Sequence, residues 1–271
     1  MDVFLVLPMR LIKLFILFVA LSSCGKKESF SGSVVGHGCM GLEILNSVYH
    51  DNSKEAFDLA TGLNGSGGVE VDLQLSLNGT IWLFHDDDLL KETGKSGCVS
   101  GYTDEQLHEM RYKSLHKERL VRLIDLDLNR LKGKQLFLDL RHFNQCESIF
   151  YDPQDWLTAL GQIDISGEVE VFVVLSRNNW ASTFKNAGYN VLLSVFDDND
   201  LASSILLMNS IDGIMVKNSL VNKEDVDNIR SIGKKVFIFE MRAPKSIRKA
   251  MAKDPDGVVS DDLRAAIIEK D

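Results

Sequence analysis

Two hydrophobic rhythms alternate along the chain. Short runs such as VEVFVVLS (169–176) and KKVFIFEM (234–241) are almost continuously apolar. That pattern suits strands buried on both faces of a parallel sheet. Between them lie longer stretches whose apolar residues recur every three or four positions, the spacing of a helix with one buried face. The pattern predicts strands at Ser33–His37, Gly68–Leu73, Thr80–His85, Gln135–Arg141, Val169–Ser176, Asn190–Val195, Asp212–Val216, Val236–Glu240 and Asp256–Ser260. It predicts helices at Lys54–Asn64, Ile124–Leu131, Asp155–Gln162, Asn179–Ala187, Asp200–Met208, Lys223–Ile232, Pro244–Lys253 and Asp261–Lys270.

Strands and helices taking turns with short links give an α/β fold. About eight such units in about 240 residues is the size of a (β/α)8 barrel of the TIM type. An open doubly wound sheet is the alternative. Nine strand candidates compete for eight barrel positions, so one is extra or misread. The link QLSLNGT (74–80) has no helical pattern, and its Asn-Gly is a tight-turn signal. Residues 87–120 form a long polar excursion. The chain shows no internal repeat and no linker to a second domain.

The N-terminus breaks this pattern. MRLIKLFILFVALSSCGKK (9–27) has basic residues, a short apolar run, then small residues before Cys24. That is the order of a secretory signal, too short for a confident membrane span. LSSC resembles a bacterial lipobox, which makes Cys24 the expected lipidated first residue; an uncleaved anchor is the alternative. The expected organisation is a signal peptide at 1–23, Cys24 and a tether at 24–32, and one domain at 33–271. It implies a lipid-anchored protein of the bacterial cell envelope, facing the periplasm or the surface.

Net charge is −9 over 271 residues, with 45% hydrophobic and 25% charged. Such an acidic globular chain has no broad basic footprint for nucleic acid, and no protein partner is legible. Beyond Cys24, Cys39, Cys98 and Cys146 match no zinc spacing. A disulfide among them is possible in an oxidising compartment, although the sequence does not choose its pairing; buried or free thiols are the expected state.

Polar residues gather at the C-terminal ends of the first predicted strands: His37, Glu70 with Asp72, His85 with Asp86, and Asp139 with Arg141. In a barrel these ends share one mouth. Glu70 and Asp72, two positions apart on a strand, point the same way. Like charges side by side need a positive partner. Glu70, Asp72 and Asp139 form an all-oxygen set suited to a hard divalent cation, Ca²⁺ or Mg²⁺. His37 and His85, either side of the acids, suit general acid–base work. Arg141 offers a fixed charge for phosphate.

In this order the chain resembles the glycerophosphodiester phosphodiesterases, relatives of phosphatidylinositol-specific phospholipases C. GHGCMG (36–41) is similar to the family's His-Arg-Gly strand end. DNSKEAF (51–57) resembles its Glu-Asn-Thr and Ala-Phe helix start, VEVDL (69–73) its Glu-x-Asp strand, and LNGTIWLFHDDDL (77–89) its Asp-Gly turn and His-Asp end. LLKETGKSGCVSGYTDEQL (89–107), LDLR (138–141) and GVVSDD (257–262) resemble later motifs. The resemblance implies a barrel that cleaves small-molecule glycerophosphodiesters, releasing an alcohol. It implies His37 and His85 as catalytic, and Glu70, Asp72 and Asp139 as metal ligands. It further implies Asn52 near the metal, Arg141 on phosphate and Phe239 as an apolar wall.

Several positions depart from that pattern. Gly38 stands where the family usually carries a phosphate-binding arginine, Asp51 and Asp139 replace glutamates, and Arg141 replaces a lysine. Phe239-Glu240 stands where Trp-Thr is expected, and Glu240 has no assigned role. An arginine restored at 38 is expected to improve phosphate affinity if the loop can hold it. Two other readings stay open: a non-catalytic relative that binds lipid headgroups or glycerol phosphates, and a barrel glycosidase using two carboxylates, in which the histidines have no task.

Overall fold

Strand β1 (Ser33–Gly36) pairs in parallel with β9 (Gly257–Ser260) on one edge and with β2 (Gly68–Leu75) on the other. Those contacts close a ring that continues through β4 (Gln135–Leu140), β5 (Glu170–Leu175), β6 (Asn190–Val195), β7 (Gly213–Lys217) and β8 (Lys235–Phe239). The result is an eight-stranded parallel (β/α)8 barrel. The computed structural model describes residues 30–271 apart from 43–46, 143–145, 147–148, 166–167 and 207. The expected signal peptide, Cys24 and the first part of the tether lie outside the described residues. Among the described residues, no helix is long and apolar enough to cross a membrane.

The ninth strand candidate is real but is not a barrel strand. β3 (Ile81–Leu83) runs antiparallel to the upper end of β2, with Leu73 opposite Leu83 and Leu75 opposite Ile81. It occupies the β2 edge that β1 holds lower down, at Gly68 and Val69. The Asn78-Gly79 turn therefore closes a hairpin, and no crossover helix is needed. The chain is thus folded back toward the barrel mouth just before His85.

Alternation along the strands divides the core. Inward positions Phe137, Phe172 and Phe237 stack and meet edge-on, with ring centroids 4.8–5.3 Å apart. With Val35, Val174, Leu192, Met215 and Val259 they fill the barrel below the mouth. Outward residues pack against helices α1 (Lys54–Gly62), α4 (Pro153–Leu160), α5 (Ala181–Asn186), α6 (Asp198–Leu206), α7 (Lys223–Ser231), α8 (Pro244–Met251) and α9 (Leu263–Lys270). The helix expected at Ile124–Leu131 is instead two 3₁₀ turns, Leu123–Asp125 and Leu128–Leu131. Its buried leucines are spaced three, two and three apart, which no single helical face provides.

The polar excursion has a small core of its own. Trp82, Phe84, Leu89, Val99, Leu107, Met110, Tyr112 and Leu120 pack together, around two short helices, α2 (Leu90–Thr93) and α3 (Asp104–His108). The Asp104 carboxylate ties this unit to the β2–β3 hairpin, accepting hydrogen bonds from Ser76 and Thr80 at 2.6 Å and from the Trp82 indole at 2.9 Å. Against the expectation of free thiols, a Cys98–Cys146 disulfide, between residues that the fold brings together across 48 positions, joins the excursion to the segment after β4. Among the described residues, Cys39 is the free thiol, and it is buried.

Candidate active site

The deepest charged layer lies just above the phenylalanines. Glu70 and Asp72 both face inward from β2 and are each 1% exposed. Asp139 is the register partner of Asp72 on β4. One carboxylate oxygen from each of the three lies within 4.8 Å of the others. The shorter Asp139 therefore still reaches the cluster. Burial, with Asp72 and Asp139 close by, raises Glu70 well above the usual carboxylate range. Burial likewise pushes Asp139 up to about 6, against the pull of Arg141. Burial acts on Asp72 too, but His85, Arg141 and the Asn52 amide together hold it low.

The donor set fits a hard cation. Glu70 Oε2 accepts from the Gly38 amide at 2.7 Å, while Glu70 Oε1 is buried with no hydrogen-bond partner. An orphaned, solvent-inaccessible oxygen beside two more carboxylates is a costly arrangement that a divalent ion relieves. Asn52 braces the cluster. Its Nδ2 donates to Asp72 Oδ2 at 2.8 Å, and its Oδ1 accepts from the Asp72 amide at 2.9 Å. It does so from a left-handed backbone, φ +53°, one residue before the Ser53 N-cap of α1.

The two histidines are held alike from opposite sides. His37, just past β1, donates from Nδ1 to Asp261 Oδ1 at 2.7 Å. Its Nε2 is left facing Glu70, 3.9 Å from Oε2. His85, just past β3, donates from Nδ1 to Asp86 Oδ1 at 2.8 Å. The negative charge of Asp72, above all, pushes His85 up to about 9; burial opposes this and the Asp86 bond adds to it. Arg141 Nη1 lies 3.8 Å from Asp72 Oδ1, so its guanidinium belongs to the acid cluster. Phe239 is 7% exposed and stands edge-on to the His37 ring at 6.2 Å.

Over residues 45–196 the chain matches the glycerophosphoryl diester phosphodiesterase family. The chain belongs to that family. It is therefore a phosphoric diester hydrolase by kinship, and Asn52, Glu70, Asp72, His85, Asp139 and Arg141 fall within the matched stretch. A Bacillus altitudinis glycerophosphodiester phosphodiesterase is 37% identical over 59 residues, 22% of this chain and 24% of that protein. A Bacillus subtilis (strain 168) protein, provisionally named for the same activity, is 23% identical over 222 residues, 78% of this chain and 88% of that one. Two solved structures share the fold. The glycerophosphodiester phosphodiesterase from Agrobacterium tumefaciens str. C58 has a TM-score of 0.68 at 15% identity, covering 88% of this chain and 98% of that one. A phosphodiesterase from Oleispira antarctica, solved with the product sn-glycerol-3-phosphate, has a TM-score of 0.67 at 19% identity, covering 88% and 96%.

Two features of the site escaped the sequence. Asp261 was visible only as part of the closing GVVSDD, yet it sits two positions beyond the inward-facing Val259, and that alternation was the available signal. Gly38 is more than a missing arginine. Its φ is +51°, and a Cβ there would lie 2.6 Å from Leu42 Cδ2 and 2.9 Å from Asp51 Cβ. The loop cannot hold an arginine at 38 without moving, so the expected gain in phosphate affinity from restoring one is withdrawn.

Proposed function

We propose that the chain hydrolyses glycerophosphodiesters to an alcohol and glycerol phosphate, with His37 and His85 moving the protons. The observation that carries this reading is the pair of histidines, each anchored through Nδ1 to a carboxylate, flanking a buried three-acid cluster. Anchoring Nδ1 fixes the tautomer and frees Nε2 for the substrate. His85, anchored through Nδ1 to Asp86 with Nε2 free, suits the acid that protonates the departing alkoxide. His37 Nε2 suits the base that takes a proton from the attacking water or neighbouring hydroxyl.

Glu70, Asp72 and Asp139 would hold one divalent cation, Ca²⁺ or Mg²⁺. Bound there, it would act as a Lewis acid on the phosphoryl oxygens. Asn52 keeps Asp72 in place. Arg141 presents a planar fork of donors that can grip two phosphate oxygens at once. Phe239 closes the wall beside His37 and limits water there. Lipidation at Cys24, with the barrel held at a bacterial membrane, completes the proposal.

The test is turnover of glycerophosphodiesters by the purified full chain, before and after chelation with EDTA. His37→Ala and His85→Ala should each lower kcat by ~10²–10⁴-fold. Near-normal turnover in both variants would favour the binding-protein alternative, and activity indifferent to EDTA would remove the metal from the proposal.

A further inference from the structure

Lys217 and Glu240 have no task in the chemistry above, yet they face the same mouth. Lys217 ends β7 two residues after Met215, which sits inside the barrel with Phe172 and Phe237. Period-two alternation turns Lys217 inward as well, one layer nearer the opening. Its register partner on β8 is Phe239, the residue standing against His37. Glu240 follows at once, and its Oε1 lies 3.1 Å from Lys217 Nζ. Phe196 packs edge-on to Phe239 at 5.3 Å and is 45% exposed. An ammonium, a carboxylate and two rings thus share one side of the mouth, next to the acid–base histidine.

Stability does not account for the pair. The side chains are 29% and 52% exposed, and ion pairs in such settings add little. Glu240 has φ +64°, a left-handed conformation that penalises any residue with a Cβ. Neighbouring segments hold it there. The Asn218 amide donates to the Phe239 carbonyl at 3.0 Å, and the Asp261 amide donates to the Met241 carbonyl at 3.0 Å. The Ser260 hydroxyl reaches the Met241 carbonyl as well, at 3.3 Å. Strain fixed from both sides is characteristic of positions kept for function.

We infer that Lys217 and Glu240 form a diol subsite that reads the glycerol arm of the substrate; the substrate class rests on the phosphodiesterase reading. An ammonium only donates and an ionised carboxylate only accepts. Side by side, they complement two adjacent hydroxyls, one accepting from Lys217 and the other donating to Glu240. The Phe196 and Phe239 rings offer an apolar surface to the C–H face of the same carbons. A chain of equal length without hydroxyls would leave both charges unanswered.

The test compares equilibrium binding of glycerol 3-phosphate and propyl phosphate to the full chain, with magnesium present, by calorimetry. Wild type should prefer glycerol 3-phosphate, since hydrogen bonds to charged groups can give ~10-fold or more. Lys217→Ala and Glu240→Gly should each reduce that preference to near unity while leaving propyl phosphate binding within about twofold. Glu240→Gly should also raise Tm, because glycine accepts the left-handed backbone. Loss of preference with a gain in stability is a combination that a merely structural pair would not give. A wild type that binds neither ligand or does not discriminate, or variants that weaken both ligands equally, would overturn the inference. Absent diester hydrolysis would defeat the phosphodiesterase reading instead, and the binding ratio would still decide the role of the pair.

Discussion

Asp261 Oδ1 and His37 Nδ1 meet at 2.7 Å although the two residues are 224 positions apart. The contact joins the last strand of the barrel to the first, across the seam where β1 pairs with β9. It presents His37 with Nε2 toward the acid cluster, so Asp261 is a positioning residue.

Asp261→Asn should therefore hurt turnover more than binding. The amide can donate to Nδ1 and stabilise the opposite tautomer, placing the proton on Nε2. We expect kcat to fall about 10²-fold, within the usual span of acid–base effects, with KM changed only a few-fold. Steady-state kinetics across pH would check this, and an unchanged kcat would remove Asp261 from the mechanism.

Glu70→Gln should abolish the effect of metal on stability. Without metal, Glu70 is held above its ordinary range by burial and by Asp72 and Asp139, so ionising it at neutral pH costs the folded state. In EDTA the glutamine variant should melt above wild type. Added Mg²⁺ should raise the wild-type Tm, a cation at 100 times its Kd being worth about 2.7 kcal/mol, and should leave the variant nearly unmoved. Thermal melts with and without EDTA decide it.

Arg141→Lys should not behave as a conservative change. The charge survives, but the two-point grip on phosphate is lost. One hydrogen bond to a charged group is worth ~1.5–3 kcal/mol, or ~10–150-fold in kcat/KM. A value within a few-fold of wild type on every phosphodiester would assign Arg141 to holding Asp72 alone.

Gly38→Arg and Gly38→Ala should both destabilise, by ~1–3 kcal/mol. The cause lies at Cβ, which meets Leu42 and Asp51 in a loop at φ +51°; the length of the side chain is secondary. Shifting that loop also disturbs the Gly38 amide bond to Glu70. Urea unfolding of the two variants should give similar losses, whereas a stable arginine variant with tighter phosphate binding would restore the expectation drawn from the sequence.

Acid should weaken the fold through His142. The side chain is 1% exposed, tilted against Trp180 at 4.2 Å between ring centroids, and burial pushes it down to about 4. The unfolded chain binds that proton near pH 6.5 and the folded chain does not, so stability drops as pH falls from 6.5 to about 4. The full loss is ~3 kcal/mol at 1.36 kcal/mol per pH unit. His142→Phe should flatten that part of the curve in urea unfolding followed from pH 7 to pH 4.5.

Much of this protein was determined by the sequence alone, because the deciding forces there are local. Short, almost continuously apolar runs located each barrel strand to within a residue or two, and Asn190–Val195 matches at both ends. The two-residue period of a strand put Glu70 and Asp72 on one face, and the strand-end rule put His37, Asp139 and Arg141 at one mouth. Tertiary structure decided what depends on partners distant in the chain. β3 reads like any apolar run, and only the free upper edge of β2 makes it antiparallel. Cys98 finds Cys146 because the excursion folds onto its own core beside the segment after β4. Asp261 reaches His37 only because the ring closes. Glu240 next to Lys217 depends on which neighbours pin a left-handed backbone. Hydrophobic period is written residue by residue, whereas register, ring closure and the pairing of single polar atoms belong to the assembled barrel.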